Sequence, residues 1–184
     1  MPSDAPRIEV WCEDRSHERF ARELLTARYR VNARRLFFHV APSGGGSASQ
    51  WVIAQYPEVR KRARSKVRQL RLGFLVMIDG DSVGRASRMS ALDEAGGPRT
   101  NADHIAVFVP TWSIETWLVW LSGDSQNRAA VTEAASYKAQ VQRDDFARTA
   151  VVAVAAWEPM MADETMNVPS LTAARGEATR LPLD

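Results

Sequence analysis

The chain has 184 residues, and 24 lysines and arginines against 22 aspartates and glutamates leave a formal charge of +2. With 45% hydrophobic and 25% charged residues it matches globular averages, which excludes wholesale disorder. The near-neutral balance excludes a protein that holds nucleic acid by bulk charge alone, and the single cysteine, Cys12, excludes an internal disulfide or a cysteine-based zinc site.

The N-terminus lacks the charged and apolar regions of a signal peptide. No apolar run approaches the ~20 residues of a membrane span. A cytoplasmic protein without membrane contact is therefore expected.

Residues 7–12 (RIEVWC) are short, apolar and β-branched, as in a strand. Residues 16–30 follow with apolar positions on one helical face, and Ser16 can serve as N-cap. Residues 36–41 (LFFHVA) form a second strand. The loop 42–47 (PSGGGS) has wide backbone freedom. Residues 49–69 read as a helix, broken or restarted near Pro57.

Residues 74–79 (FLVMID) are apolar on both faces, as in a central parallel strand. A helix over 82–95 stops at Gly96-Gly97-Pro98. Residues 105–110 (IAVFVP) form a fourth strand, and 113–121 a helix closed by Gly123. Beyond it, 131–157 look mainly helical, with a buried stretch at 150–157. Residues 158–168 look like a loop, and 171–180 like a last helix led in by Pro169-Ser170.

This alternation predicts an α/β fold of Rossmann-like type. It comprises a mostly parallel four-stranded sheet with helices on both faces and a C-terminal helical extension. The α/β domain is placed at 7–123 and the extension at 124–184, packed on the same core.

Ligands of open α/β sheets sit beyond the C-terminal strand ends. Three predicted strands lead there into acids: Glu13-Asp14, Asp79-Gly80-Asp81, and Glu115 at the start of the next helix. Converging carboxylates repel unless a cation holds them, and hard oxygen donors suit Mg²⁺ or Mn²⁺. A bound metal would neutralise a phosphodiester and activate water. Each acid has a plainer reading too, since Asp81 or Ser82 can cap the following helix.

The segments IEVWCEDRSHERFARELL, FLVMIDGDSVG and VPTWSIETWLVWL resemble the Toprim domain. That domain occurs in topoisomerases, bacterial primases, recombination proteins and OLD-type (overcoming lysogenization defect) nucleases. The resemblance covers about residues 7 to 121 and is strongest to small stand-alone relatives of the OLD nucleases. It implies Glu13 as metal ligand or acid/base, Asp79 and Asp81 as Mg²⁺ ligands, and Glu115 as a further ligand. The chain departs from the pattern at Asp14, where relatives carry glycine, and at His17, where many carry an acid. One or two metals both remain open. The length leaves no room for a topoisomerase tyrosine domain, and no phosphate-loop lysine motif marks an ATPase.

The stretch 58–71 (EVRKRARSKVRQLR) gathers basic residues. Arg60, Lys61, Arg64 and Arg68 at helical spacing, with Arg85 and Arg88 one turn beyond the Asp79 motif, are candidates for phosphate contact. They can equally form a solvated face. The glycine loop can approach a phosphate or simply connect. Lys138 is a candidate transition-state cation, although an exposed helix lysine is the plainer reading. His17 reads as a packing or capping residue. Trp112, Trp117 and Trp120 read as core, with Trp112 also able to stack a base.

The expected function is metal-dependent phosphodiester cleavage of nucleic acid, DNA before RNA. By analogy with OLD-like relatives it would serve defence or repair beside a separate ATPase or defence-system protein. The alternatives are a catalytically silent module that binds nucleic acid or a partner, and a nucleotide-binding domain.

Overall fold

The computed structural model describes residues 5–44, 46–142, 144–157 and 167–183, and of residues 66–70, 101 and 125 the backbone alone. Strands and helices alternate as β1 (Arg7–Cys12), α1 (Arg15–Glu23), β2 (Leu36–Val40), α2 (Ala48–Leu70), β3 (Leu72–Met77), α3 (Gly84–Gly96), β4 (Ile105–Phe108) and α4 (Ile114–Ser122). The four strands form one parallel sheet in the order β2-β1-β3-β4. The chain is an α/β protein of Rossmann-like architecture.

The apolar runs of β1 and β3 are explained by burial on both faces. Val10, Cys12, Leu75 and Met77 face one layer, built by α1 and α4 with residues from beyond position 123. Trp11, Phe74 and Val76 face the other, built by α2 and α3. Right-handed crossovers require this split. The chain steps from β1 outward to β2, then returns across the sheet to β3 and β4, so α1 lies on the opposite face from α2 and α3.

After Gly123 come α5 (Ser125–Ala130), α6 (Phe146–Ala155) and α7 (Pro169–Ala178). Val131, Phe146, Ala150, Trp157 and Leu171 join the same core as α1 and α4. Phe20, Phe108, Trp117 and Trp157 form its aromatic centre, with neighbouring ring centroids 5.9–6.3 Å apart. The α7 residue Glu177 pairs with Arg99 and accepts the backbone N–H of Val107 at 3.0 Å, which closes the outer edge of β4.

Several local expectations change. Asp14, not Ser16, caps α1 by accepting the His17 N–H. The chain then widens into a π-helical turn over Leu24–Arg28, which carries both Leu24 and Leu25 into the core. Helix α2 passes Pro57 unbroken. The proline is exposed, while Tyr56, Val59 and Ala63 anchor the helix on the sheet.

The described residues of 131–145 are irregular apart from one turn at Lys138–Gln140, in place of the long helix that the sequence predicts. Tertiary hydrogen bonds override local propensity here. Glu133 bonds the Thr111 hydroxyl and the Ser170 N–H through its carboxylate, and the Trp112 indole through its carbonyl. Of the expected loop 158–168, residues 158–166 lie outside the described residues. Among the described residues no helix is long and apolar enough to cross a membrane.

Candidate active site

Because the chain builds first to one side of β1 and then to the other, its topological switch point lies between β1 and β3. Such sheets open a ligand crevice at that point. Glu13 follows β1 there and Asp79 follows β3. The two are joined: the Asp79 N–H donates to Glu13 Oε1 at 2.8 Å.

The segment after β3 is held against the segment after β4. Backbone N–H groups of Ile78, Gly80 and Asp81 donate to the carbonyls of Phe108, Pro110 and Trp112 at 2.9–3.1 Å. Gly80 is required by this close approach, since a Cβ would stand 2.1 Å from the Thr111 carbonyl oxygen. Asp81 then turns left-handed at φ 47°, a conformation that Asp tolerates better than most residues. Arg88 clamps the turn from α3, donating Nε to the Asp79 carbonyl at 2.9 Å and Nη2 to Asp81 Oδ2 at 3.1 Å.

His17 is fully buried beneath the carboxylates. Its Nδ1 lies 3.1 Å from Asp14 Oδ1, the oxygen that also caps α1, and its Nε2 lies 3.0 Å from Asp79 Oδ1. The second approach lacks hydrogen-bond alignment, so Asp79 Oδ1 stays buried without a hydrogen bond. Burial opposes charge on the imidazole, but the Asp79 and Asp14 carboxylates outweigh it and hold His17 well above its ordinary pKa. Burial likewise works against the Asp14 carboxylate, yet hydrogen bonds and charge from His17 hold Asp14 below its usual range. Burial pushes Glu13 up to about 7; His17 opposes the rise, and the charges of Asp79 and Asp81 add to it.

Glu115 lies on the first turn of α4, three residues beyond the Trp112 carbonyl that Asp81 bonds. It is buried, and its Oε2 has no hydrogen-bond partner. Among the described residues no three or more His, Cys, Asp or Glu side chains converge as a group that could hold a metal ion. The structure therefore joins Glu13 to Asp79, sets Asp81 at the rim with half its side chain exposed, and buries Glu115 on α4 with no described contact to the other acids.

The expected basic face is largely displaced. Helix α2 runs antiparallel to the strands, so its basic half reaches the N-terminal edge of the sheet, not the Asp79 edge. The six residues of β3 separate the two edges by ~20 Å. Arg60 is buried, donating to Asp103 at 2.5 Å and to the carbonyls of Gly96 and Pro98. It cannot contact phosphate without unmaking that ion pair. Arg62 is spent on Glu9, a carboxylate only 1% exposed, at 2.6 Å. Lys61 and Arg64 remain exposed at this far edge, and the Arg68 side chain lies outside the described residues.

Arg88 is buried in the turn it clamps, whereas Arg85 is half-buried at the carboxylate edge. Lys138 is exposed on its short turn, and no described contact joins it to the acids. Trp112 donates its indole N–H to the Glu133 carbonyl, and Trp117 and Trp120 are core.

Sequence reasoning alone misses the pairing of His17 with Asp79. Its signal is the spacing D-x-x-H, which sets His17 at the third helical position after an Asp cap. It also reads Arg19, exposed on α1, only as an outward-facing helix residue. No family model, no curated protein and no solved structure matches the chain.

Proposed function

We propose that this chain is a Toprim-like, divalent-metal-dependent enzyme that cleaves phosphodiester bonds in nucleic acid. The observation that carries this reading is the meeting of Glu13 and Asp79 at the switch point of a parallel sheet. The donor set supports Mg²⁺ or Mn²⁺. Glu13 gives only one oxygen to the Asp79 N–H, and Asp79 Oδ1, though 3.0 Å from His17 Nε2, makes no aligned hydrogen bond. Mg²⁺ commonly binds through one or two carboxylates, completing its shell with water and substrate phosphate, so a larger cage is not needed.

Glu13 and Asp79 would hold the metal, with Asp81 at the rim. The metal, when bound, supplies charge neutralisation and an activated water. Glu13 would hold or move a proton at its second carboxylate oxygen. Arg88 fixes the Asp79-Gly80-Asp81 turn, and His17, its pKa raised by the Asp79 and Asp14 carboxylates, lies below it. Glu115 remains a candidate further ligand, and of the expected phosphate set Arg85 and Arg88 stand at this edge, Arg88 already bonded to the turn. A role in phage defence or repair, beside a separate ATPase, follows only from the resemblance to OLD-like proteins.

The test is incubation with supercoiled plasmid, single-stranded DNA and RNA, each with Mg²⁺ or Mn²⁺. Cleavage should be abolished in Asp79→Asn, and cleavage retained by that variant overturns the assignment.

A specific observation favours a second reading. The acids already have internal counter-charges, since Asp79 faces His17 and Asp81 faces Arg88. A catalytically silent binding module would need no metal. Mn²⁺ binding equally to wild type and Asp79→Ala/Asp81→Ala supports that reading against the first.

A further inference from the structure

A second feature opens beside Glu13, beyond the ends of β1 and β2. It is a cleft of about 740 Å³ between the start of α1 and the glycine loop. Its size lies within the roughly 300–1,000 Å³ of sites that enclose small organic ligands. One wall carries Arg15 and Arg19, one helical turn apart and both exposed. The opposite wall carries Ser43, Gly44 and Gly46.

Asp14 also lines this wall, its carboxylate engaged by His17. Arg15 shares Glu18 with Arg22. Arg19 has no acidic partner among the described residues. The facing backbone is accessible: Gly44 and Gly46 have φ of 82° and 95°, and no atom lies within 4 Å of where a Cβ would be. Val40 and Ala41, both half-buried, add apolar surface to the lining. Glu13 is also in the lining, and its carboxylate accepts the Asp79 N–H, so the cleft adjoins the carboxylate site.

Cations on one side and bare backbone on the other are elements that track a sugar–phosphate backbone. We propose that this cleft, and not the basic half of α2, is the strand-binding groove of the protein. In it Arg19 and Arg15 contact backbone phosphates of a single-stranded nucleic acid and lead it to Glu13. The inference rests on the phosphodiesterase reading for the direction of the strand but not for its binding.

The test measures binding without cleavage. A fluorescein-labelled oligothymidylate strand is titrated with wild-type protein in EDTA, and anisotropy is followed from low to moderate salt. Arg15→Ala/Arg19→Ala should weaken binding at least tenfold at low salt. It should also flatten the plot of log affinity against log salt by about 1.4, since each phosphate that a single strand no longer has neutralised lowers the slope by ~0.7. Arg19→Lys, which keeps the charge, should keep most of the slope. Lys61→Ala/Arg64→Ala, at the far edge, should change little.

Unchanged affinity and slope in the Arg15/Arg19 variant overturn the proposal, as does a larger loss of affinity in the Lys61/Arg64 variant. A mononucleotide that competes as well as the strand overturns the strand assignment in favour of a nucleotide pocket. Wild-type protein that binds no strand overturns it outright. Strand binding that depends on Arg19, with no cleavage under any metal, upholds the cleft and removes only the nuclease reading.

Discussion

His17 Nε2 lies 3.0 Å from Asp79 Oδ1 with the imidazole fully buried, so a cation of the chain itself stands under the carboxylates. Removing one partner of a buried pair leaves the other charge uncompensated and costs about 3–5 kcal/mol. His17→Ala should show that loss of stability in urea denaturation. The double variant His17→Ala/Asp79→Ala should be less destabilised than the sum of the single ones, because the second change removes the stranded charge. Strict additivity would show that the two groups do not interact.

Gly80→Ala tests the contact between the segments after β3 and β4. The new methyl meets main chain, which cannot rotate away as a side chain can. Overpacking of this kind costs about 1–3 kcal/mol. The melting temperature should fall, and any metal affinity should fall with it, because Asp79 and Asp81 flank the displaced residue. A stable variant with unaltered metal binding would contradict the close approach.

The Arg60–Asp103 pair predicts a pH dependence far from the carboxylate site. Burial disfavours the Asp103 carboxylate, but hydrogen bonds from Arg60 and Thr100 hold its pKa below the ordinary value. A depressed folded pKa stabilises above the unfolded value of about 3.9 and loses that stabilisation as pH falls through the folded one. Wild type should therefore exceed Asp103→Asn in stability at pH 7, and the gap should narrow below about pH 4. A gap constant down to acid pH would contradict the pair. Arg60→Ala should destabilise the fold without weakening strand binding.

Much of the fold is legible in the sequence because burial on both faces writes continuous apolar runs, as in the third strand. What is not legible depends on partners distant in sequence. Arg60 and Arg62 look like neighbours on a charged surface until Asp103 and Glu9 are placed against them. Position in the sheet hides the rest. A basic stretch shortly before Asp79 in sequence lies a full strand away in space, because the helix carrying it ends where that strand begins. The carboxylates at the strand ends are readable from topology alone, whereas the histidine beneath them is visible only as a capping spacing. Residues 131–145 read as helix because Glu133 gives no local sign of its bonds to Thr111, Trp112 and Ser170.

Trp157 closes the aromatic centre from beyond the sheet, its ring 5.9 Å from those of Phe20 and Phe108. Its indole donates to the Tyr29 hydroxyl at 3.0 Å. Trp157→Ala should cost about 3–5 kcal/mol in chemical denaturation. A cost under about 1 kcal/mol would mean that the extension adds little to the core.

Cys12 ends β1 at the middle of the sheet, wholly buried, and burial pushes its thiol up to about 12. The thiolate is the reactive form, so the native chain should resist alkylation. The same burial makes this sulfur an internal clock. Because the central strand must part from its neighbours before reagent can enter, the rate at which dilute thiol reagent modifies the untouched protein counts openings of the sheet. The buried end of β1 thus carries its own reporter, and every substitution considered above can be ranked by that rate without adding a label.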